Sequence, residues 1–258
     1  MEGAVKSSVK SSVESSVKIS VKSVVKLLVI SGWNTPSELI EDFCLPVAQK
    51  LGLEFELLKF EGSQLSVEEQ INVWDVEYKN EPVIIFAWSL GGNLALKWQE
   101  QNSNIQSVVT VATNLNFVDE EFGMTKKQFD LFCQGFNHDS PVMNKKMQKK
   151  FMQLVLMGSD KDFMSRVKAV YEKRELDVKT LHHSLLWLEK IKLDVKLLGE
   201  QNQYWFADKD CLVPKGARLL FEYNQLFEGS HAFFLEAPLT YQSLLVAHFS
   251  SVLEIGHG

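Results

Sequence analysis

The sequence predicts an α/β architecture: a mostly parallel, doubly wound sheet with a helical cap inserted late in the chain. Three observations carry that expectation. Apolar, β-branched runs at residues 24–30, 82–88 and 105–113 alternate with stretches whose apolar residues recur at helical spacing. The run at 105–113, with Val108, Val109 and Val111, reads as a strand buried on both faces. From about residue 115 to 192 the strand signals vanish, and the sequence becomes helical, aromatic and locally basic.

Taken in order, residues 1–23 are low in complexity. Val5, Val9, Val13, Val17 and Val21 recur among serines and lysines. A four-residue period drifts around a helix, and valine with serine is a poor helix composition, so a disordered extension is expected. The competing reading is a basic amphipathic anchor for a membrane or partner. Residues 24–30 form the first expected strand and run into Ser31-Gly32-Trp33-Asn34-Thr35-Pro36-Ser37, followed by a helix over 38–51. A second strand is expected at 53–60. Ser66 and Glu69 then read as a capping box opening a helix with Ile71, Val73, Trp74 and Val76. Beyond the insertion, strands are expected at 195–198 and 204–207, a helix opening at Pro214, and a closing helix over 240–253. The expected organisation is an extension (1–23), a core (24–114 and 193–258) and a helical cap (115–192).

A chain of 258 residues can bury a sizeable core, and a formal net charge of -6 argues against general nucleic-acid binding. Cys44, Cys133 and Cys211 show no metal-ligand spacing and cannot all pair with one another, which fits a reducing cytoplasm. Even the 24–30 run is interrupted by Lys26, no stretch is long enough to span a bilayer, and no signal-peptide pattern opens the chain. A cytoplasmic protein is expected.

The chemistry centres on residues 82–98. An apolar run stops at Ser89, Gly91 and Gly92 follow, and a helical stretch begins: strand, sharp turn, helix. Such a turn is the nucleophile elbow of α/β-hydrolases, in which small neighbours let the flanking backbones pass closely. Here Ala87 and Gly91 are the small positions, giving A-x-S-x-G where G-x-S-x-G is usual. A strand-to-helix connection that serves packing alone is the competing reading. The elbow would aim the Leu90 backbone N–H at a developing oxyanion, and the 31–37 loop would supply a second donor from Trp33.

A serine hydroxyl needs a base, and the base needs an acid to hold its tautomer. His231 follows Gly229 and Ser230 near the end of the chain, and Asp208 or Asp210 lies just past an expected strand. The order Ser89, Asp, His231 is that of the α/β-hydrolases. Of the other histidines, His182 and His183 fall in the helical insertion, His248 in the final helix and His257 in the tail. None clusters with Asp or Glu at ligand spacing, so no metal site is expected.

Several pieces follow one order. They are Gly32-Trp33, Trp88-Ser89-Leu90-Gly91-Gly92, Val109-Thr110-Val111-Ala112, residues 151–158, Asp210-Cys211-Leu212-Val213-Pro214 and Ser230-His231-Ala232. From about residue 24 onward the chain resembles the biotin-pathway esterases that cleave the methyl ester of pimeloyl-acyl-carrier protein. The resemblance implies an α/β-hydrolase fold without cofactor, Ser89 as nucleophile, Asp210 as acid, His231 as base, and oxyanion donors at Trp33 and Leu90. It further implies Trp33 and Phe151 as substrate contacts, and Lys146 and Lys150 as contacts for an acidic carrier protein bearing the acyl chain. Arginine is usual at those two positions, and lysine offers the charge without the bidentate fork. Lys126, Lys127, Lys145, Lys149, Lys161, Arg166 and Lys168 add to the basic cap. Ser31 stands where the family commonly has histidine. The expected activity is that of a serine carboxylesterase working through an acyl-enzyme. The alternatives are a generalist esterase, thioesterase or lactonase with no carrier protein, and a silent hydrolase-fold binding protein.

Overall fold

The computed structural model describes residues 25–60, 63–136, 140–174, 178–194, 196 and 198–255. The 1–23 extension lies outside them. The described chain begins with β1 (Lys26–Ile30), α1 (Ser37–Leu51), β2 (Glu54–Leu58), α2 (Val67–Glu77), β3 (Val83–Trp88), α3 (Leu90–Gln99) and β4 (Ile105–Val111). Helices α4 (Lys126–Gly135), α5 (Pro141–Val155), α6 (Lys161–Lys173), α7 (Val178–Leu185) and α8 (Trp187–Lys190) come next. The chain then returns to the sheet with β5 (Gln203–Ala207) and β6 (Asn224–Phe227), followed by α9 (Phe233–Glu236) and α10 (Pro238–Ile255).

Among the described residues, six strands form one sheet, parallel throughout, in the order β2-β1-β3-β4-β5-β6. β1 leads outward to the edge strand β2, and the chain then crosses back to place β3 on the other side of β1. That reversal opens a crevice at the carboxyl ends of β1 and β3, where open α/β sheets bind ligands. The two loops that begin there are the 31–36 loop and the turn at Ser89. With right-handed crossovers, α1 falls on one face of the sheet and α2 and α3 on the other. Accordingly α1 packs against α10, and α2 against α3. β3 is buried along its whole length, which accounts for its unbroken apolar sequence.

The local signals are realised in detail. Ser66 Oγ accepts the Glu69 N–H at 3.2 Å while the Glu69 carboxylate accepts the Ser66 N–H at 2.8 Å, the reciprocal box that opens α2. Two expectations need correction. Of the strand expected over 195–198, the described residues Lys196 and Leu198 lie outside the sheet, and the Lys196 N–H donates to Asp194 Oδ1 at 3.0 Å, a turn that competes with an extended backbone. Pro214 is followed by a short 3-10 turn, Ala217–Leu220, rather than a full helix. Strand β6 has no counterpart in the sequence reading. It is a four-residue edge strand with one neighbour, and its Leu226 is 46% exposed, so it lacks an apolar alternation to betray it. No described helix is long and apolar enough to cross a membrane.

Candidate active site

Ser89 closes β3 with φ 55° and ψ -121°, a positive φ that is costly for a residue with a side chain. The surroundings hold it there. Its N–H donates to the Val111 carbonyl at 2.8 Å, and its own carbonyl accepts the Gly92 N–H at 2.9 Å and the Thr113 hydroxyl at 3.0 Å. The two glycines after it are required by contact. A Cβ on Gly91 would strike the carbonyl oxygens of Ile30 and Ser31, and one on Gly92 would strike Thr113 Oγ1. Thr113 was not among the residues singled out from the sequence. Its signal is a hydroxyl directly after a buried strand, beside the elbow.

The 31–36 loop lies against the nucleophile turn. A Cβ on Gly32 would sit 3.4 Å from Ser89 Cβ. Thr35 Oγ1 donates to the Gly32 carbonyl at 2.6 Å, which leaves Ser31 Oγ to donate to Thr35 Oγ1 at 2.7 Å. Asn34 adopts φ 52° between them. Ser31 thus braces the loop internally. Among the described residues, the backbone N–H groups of Trp33 and Leu90 have no acceptor from a loop, turn or side chain. Both are available to an incoming oxygen.

His231 and Asp210 meet across the loops that follow β6 and β5. His231 Nδ1 lies 2.8 Å from Asp210 Oδ2, and both side chains are only 2% exposed. Asp210 Oδ1 accepts the N–H groups of Leu212 and Val213 at 2.7 and 3.1 Å, which orients the carboxylate. An acceptor-only carboxylate assigns the proton to Nδ1 and leaves the Nε2 lone pair free. Asp208 is engaged elsewhere, its Oδ1 accepting the Gly229 N–H at 2.9 Å. Trp88 ties the pair to the elbow, since its backbone leads into Ser89 and its indole N–H donates to the His231 carbonyl at 3.0 Å. Among the described residues no hydrogen bond joins Ser89 Oγ to His231 Nε2, and neither atom is engaged with another side chain. Ser89 is half-buried and open to a reactant.

The inserted helices dock through rings. Trp33 meets Phe136 and Phe151 edge-on at 4.8 Å each and Phe132 at 5.8 Å, and its indole N–H donates to the Leu181 carbonyl at 2.8 Å. Phe151 therefore packs against the loop beside Ser89. Lys146 and Lys150 lie on α5, both exposed. A cleft of about 250 Å³ beside α5 and α6 is lined instead by Lys145, Lys149, Lys168 and Arg174 together with Gln148, Met152, Tyr171 and Glu172, the last lying 3.5 Å from Lys168. Arg174 at its end lies 3.5 Å from Asn34 Oδ1, next to the Trp33 loop. His183 faces the Leu65 carbonyl at 3.1 Å, and His248 lies 2.9 Å from Ser107 Oγ; neither touches the Asp210–His231 pair.

The chain matches no protein-family model, and no curated protein matches it. Solved structures do. An esterase (EaEST) from Exiguobacterium antarcticum is 15% identical with a TM-score of 0.70, over 88% of this chain and 92% of that one. MGS-M2, an α/β hydrolase from a Medee basin deep-sea metagenome library, is 13% identical with a TM-score of 0.67, over 89% and 90%. MenH from S. aureus is 12% identical with a TM-score of 0.64, over 88% and 94%. The likeness is one of fold, and with the parallel sheet and its elbow it makes this an α/β-hydrolase fold.

Proposed function

We propose that the protein is a serine carboxylesterase of which Ser89, His231 and Asp210 are the catalytic residues and residues 115–192 the cap. The observation that carries this reading is a strained, half-buried Ser89 at the rim where a buried Asp210–His231 pair and two unclaimed backbone N–H groups also lie. Ser89 Oγ attacks the ester carbonyl carbon and passes its proton to His231 Nε2, while the Trp33 and Leu90 N–H groups hold the oxyanion. Collapse expels the alcohol with the proton from His231. Water, deprotonated by the same imidazole, then adds to the acyl-enzyme, releasing the acid and restoring Ser89. Ser89 and His231 share no hydrogen bond among the described residues, as in a pair that tightens only when substrate fills the site. Replacing Ser89 by alanine is expected to lower hydrolysis of short p-nitrophenyl esters by at least about a thousandfold with the fold intact. Retained turnover in that variant refutes the assignment.

For the substrate, the sequence resemblance and the basic cap support the methyl ester of pimeloyl-acyl-carrier protein, the acidic carrier docking on lysines of α5 and α6. The position of Lys146 and Lys150 outside the cleft favours the generalist esterase instead, so the lysines decide between the two. Charge reversal at Lys145, Lys149 and Lys168 is expected to raise KM for the carrier-linked ester several-fold at low salt and leave a neutral free ester unaffected. Equal KM values for wild type and variant on the carrier-linked ester favour the generalist.

A further inference from the structure

The turn that joins α5 to α6 touches both loops that carry the Asp210–His231 pair. On the acid side, Met157 Sδ lies 3.2 Å from the sulfur of Cys211, and a Cβ on Gly158 would come within 3.0 Å of Lys209 Cβ. Lys209 and Cys211 flank Asp210. On the histidine side, Ser159 Oγ lies 2.8 Å from both Ser230 Oγ and Glu236 Oε1, and Ser230 Oγ lies 3.0 Å from that same oxygen. Three oxygens thus form a closed triangle immediately before His231. The hydroxyls are satisfied within the triangle: Ser230 O–H donates to Glu236, the Ser159 O–H donates to Glu236 or to Ser230, and the Ala232 N–H donates to Ser230 Oγ at 3.1 Å. Ser230 is fully buried, so its hydroxyl has no water to fall back on.

We propose that Ser159, acting through Ser230 and Glu236, is a positioning residue by which the seating of the inserted helices sets the alignment of His231 with Asp210. The inference rests on the esterase reading above. His231 is held on its other sides by Trp88, the last residue of β3, and by Asp210, in the loop after β5. Among the described residues, the Ser159 contact is the hydrogen bond that reaches the histidine loop from the helices between β4 and β5. Movement of those helices during substrate entry or product release pulls on Ser230, and with it on the imidazole one residue away. Full engagement of the base is thereby linked to a closed cap.

The test compares Ser159→Ala, Ser159→Thr and, as a control on α10, Ser243→Ala, an exposed serine whose hydroxyl donates to the Leu239 carbonyl. Three quantities are read: kcat and KM on p-nitrophenyl butyrate, the rate of Ser89 labelling by a fluorophosphonate probe, and the far-downfield NMR resonance of the proton shared by His231 and Asp210. Ser159→Ala is expected to lower kcat and labelling about tenfold, leave KM within about twofold, and broaden the resonance. Ser159→Thr, which keeps the hydroxyl, is expected to restore most of the loss. Unchanged kcat and an unchanged resonance in Ser159→Ala overturn the proposal, as does an equal loss in Ser243→Ala. Absence of both hydrolysis and labelling in the wild type overturns the esterase reading instead. The resonance of Ser159→Ala then still decides whether the cap turn positions the pair.

Discussion

Ser89 occupies a backbone conformation that only its neighbours make tolerable, and the two aspartates near His231 show how finely neighbours also divide labour. Asp210 spends one oxygen on two backbone N–H groups and the other on the imidazole; Asp208 spends its oxygen on Gly229. Asp210→Asn is expected to cost about 10⁴ in kcat, because the amide can present an N–H to Nδ1 and select the wrong tautomer. Asp208→Asn keeps an oxygen for the Gly229 N–H and is expected to cost less than about tenfold. Steady-state hydrolysis of a p-nitrophenyl ester by both variants checks the pair, and a larger loss at Asp208 would reverse the assignment of the acid. At this scale the sequence was informative about Ser89 and His231, because chain order and the elbow pattern are written in the residues themselves. The choice between the aspartates was open on the residues alone, since both follow the same strand and the deciding bonds run from the backbone of Leu212 and Val213. Thr113 went unread for a similar reason. Its partner is a main-chain carbonyl far away in sequence, which no spacing reveals.

At the scale of elements, the start of α3 is pressed against the ends of β1 and β4, and its glycines are the consequence. Gly92→Ala forces a methyl group onto Thr113 and is expected to destabilise the fold by about 1–3 kcal/mol. Combined with Thr113→Ala, which removes the obstructing hydroxyl and methyl, the same change is expected to cost less than the sum of the two single changes, as measured by urea unfolding. Strict additivity would mean that the close approach is relieved by backbone movement. The strands buried in mid-sheet and the helices on its faces were legible because burial on both sides, or on one stripe, imposes a composition. β6 was not, since an edge strand with one neighbour needs little apolar alternation. The strand expected at 195–198 is the reverse case at its described residues, Lys196 and Leu198, which lie outside the sheet. Its residues alternate well enough, but a side-chain oxygen of Asp194 claims the Lys196 N–H that a ladder would need.

For the whole molecule, stability and acid sensitivity meet where α10 crosses the sheet and His248 faces Ser107 of β4. Burial depresses the His248 pKa below its ordinary 6.5. As pH falls from 6.5, the unfolded chain therefore takes up this proton before the folded one, and the stabilisation present above 6.5 is lost until the folded pKa is passed. Wild type is expected to lose urea resistance more steeply between pH 6.5 and the folded pKa than His248→Gln, whose amide can still reach Ser107. Parallel slopes would remove His248 as the cause.

The pairing of β4 has a consequence for how the chain is made. Its inner edge finds β3 across a single helix, while its outer edge must wait for β5, which leaves the ribosome only after α4 to α8. Until then a half-built sheet presents Val108, Val109 and Val111 with a row of unsatisfied amides to whatever other nascent copies are nearby. Recovery from denaturant should accordingly favour dilute protein, and a chaperone that shields that border during synthesis should raise the soluble yield more than any repair at the rim around Ser89.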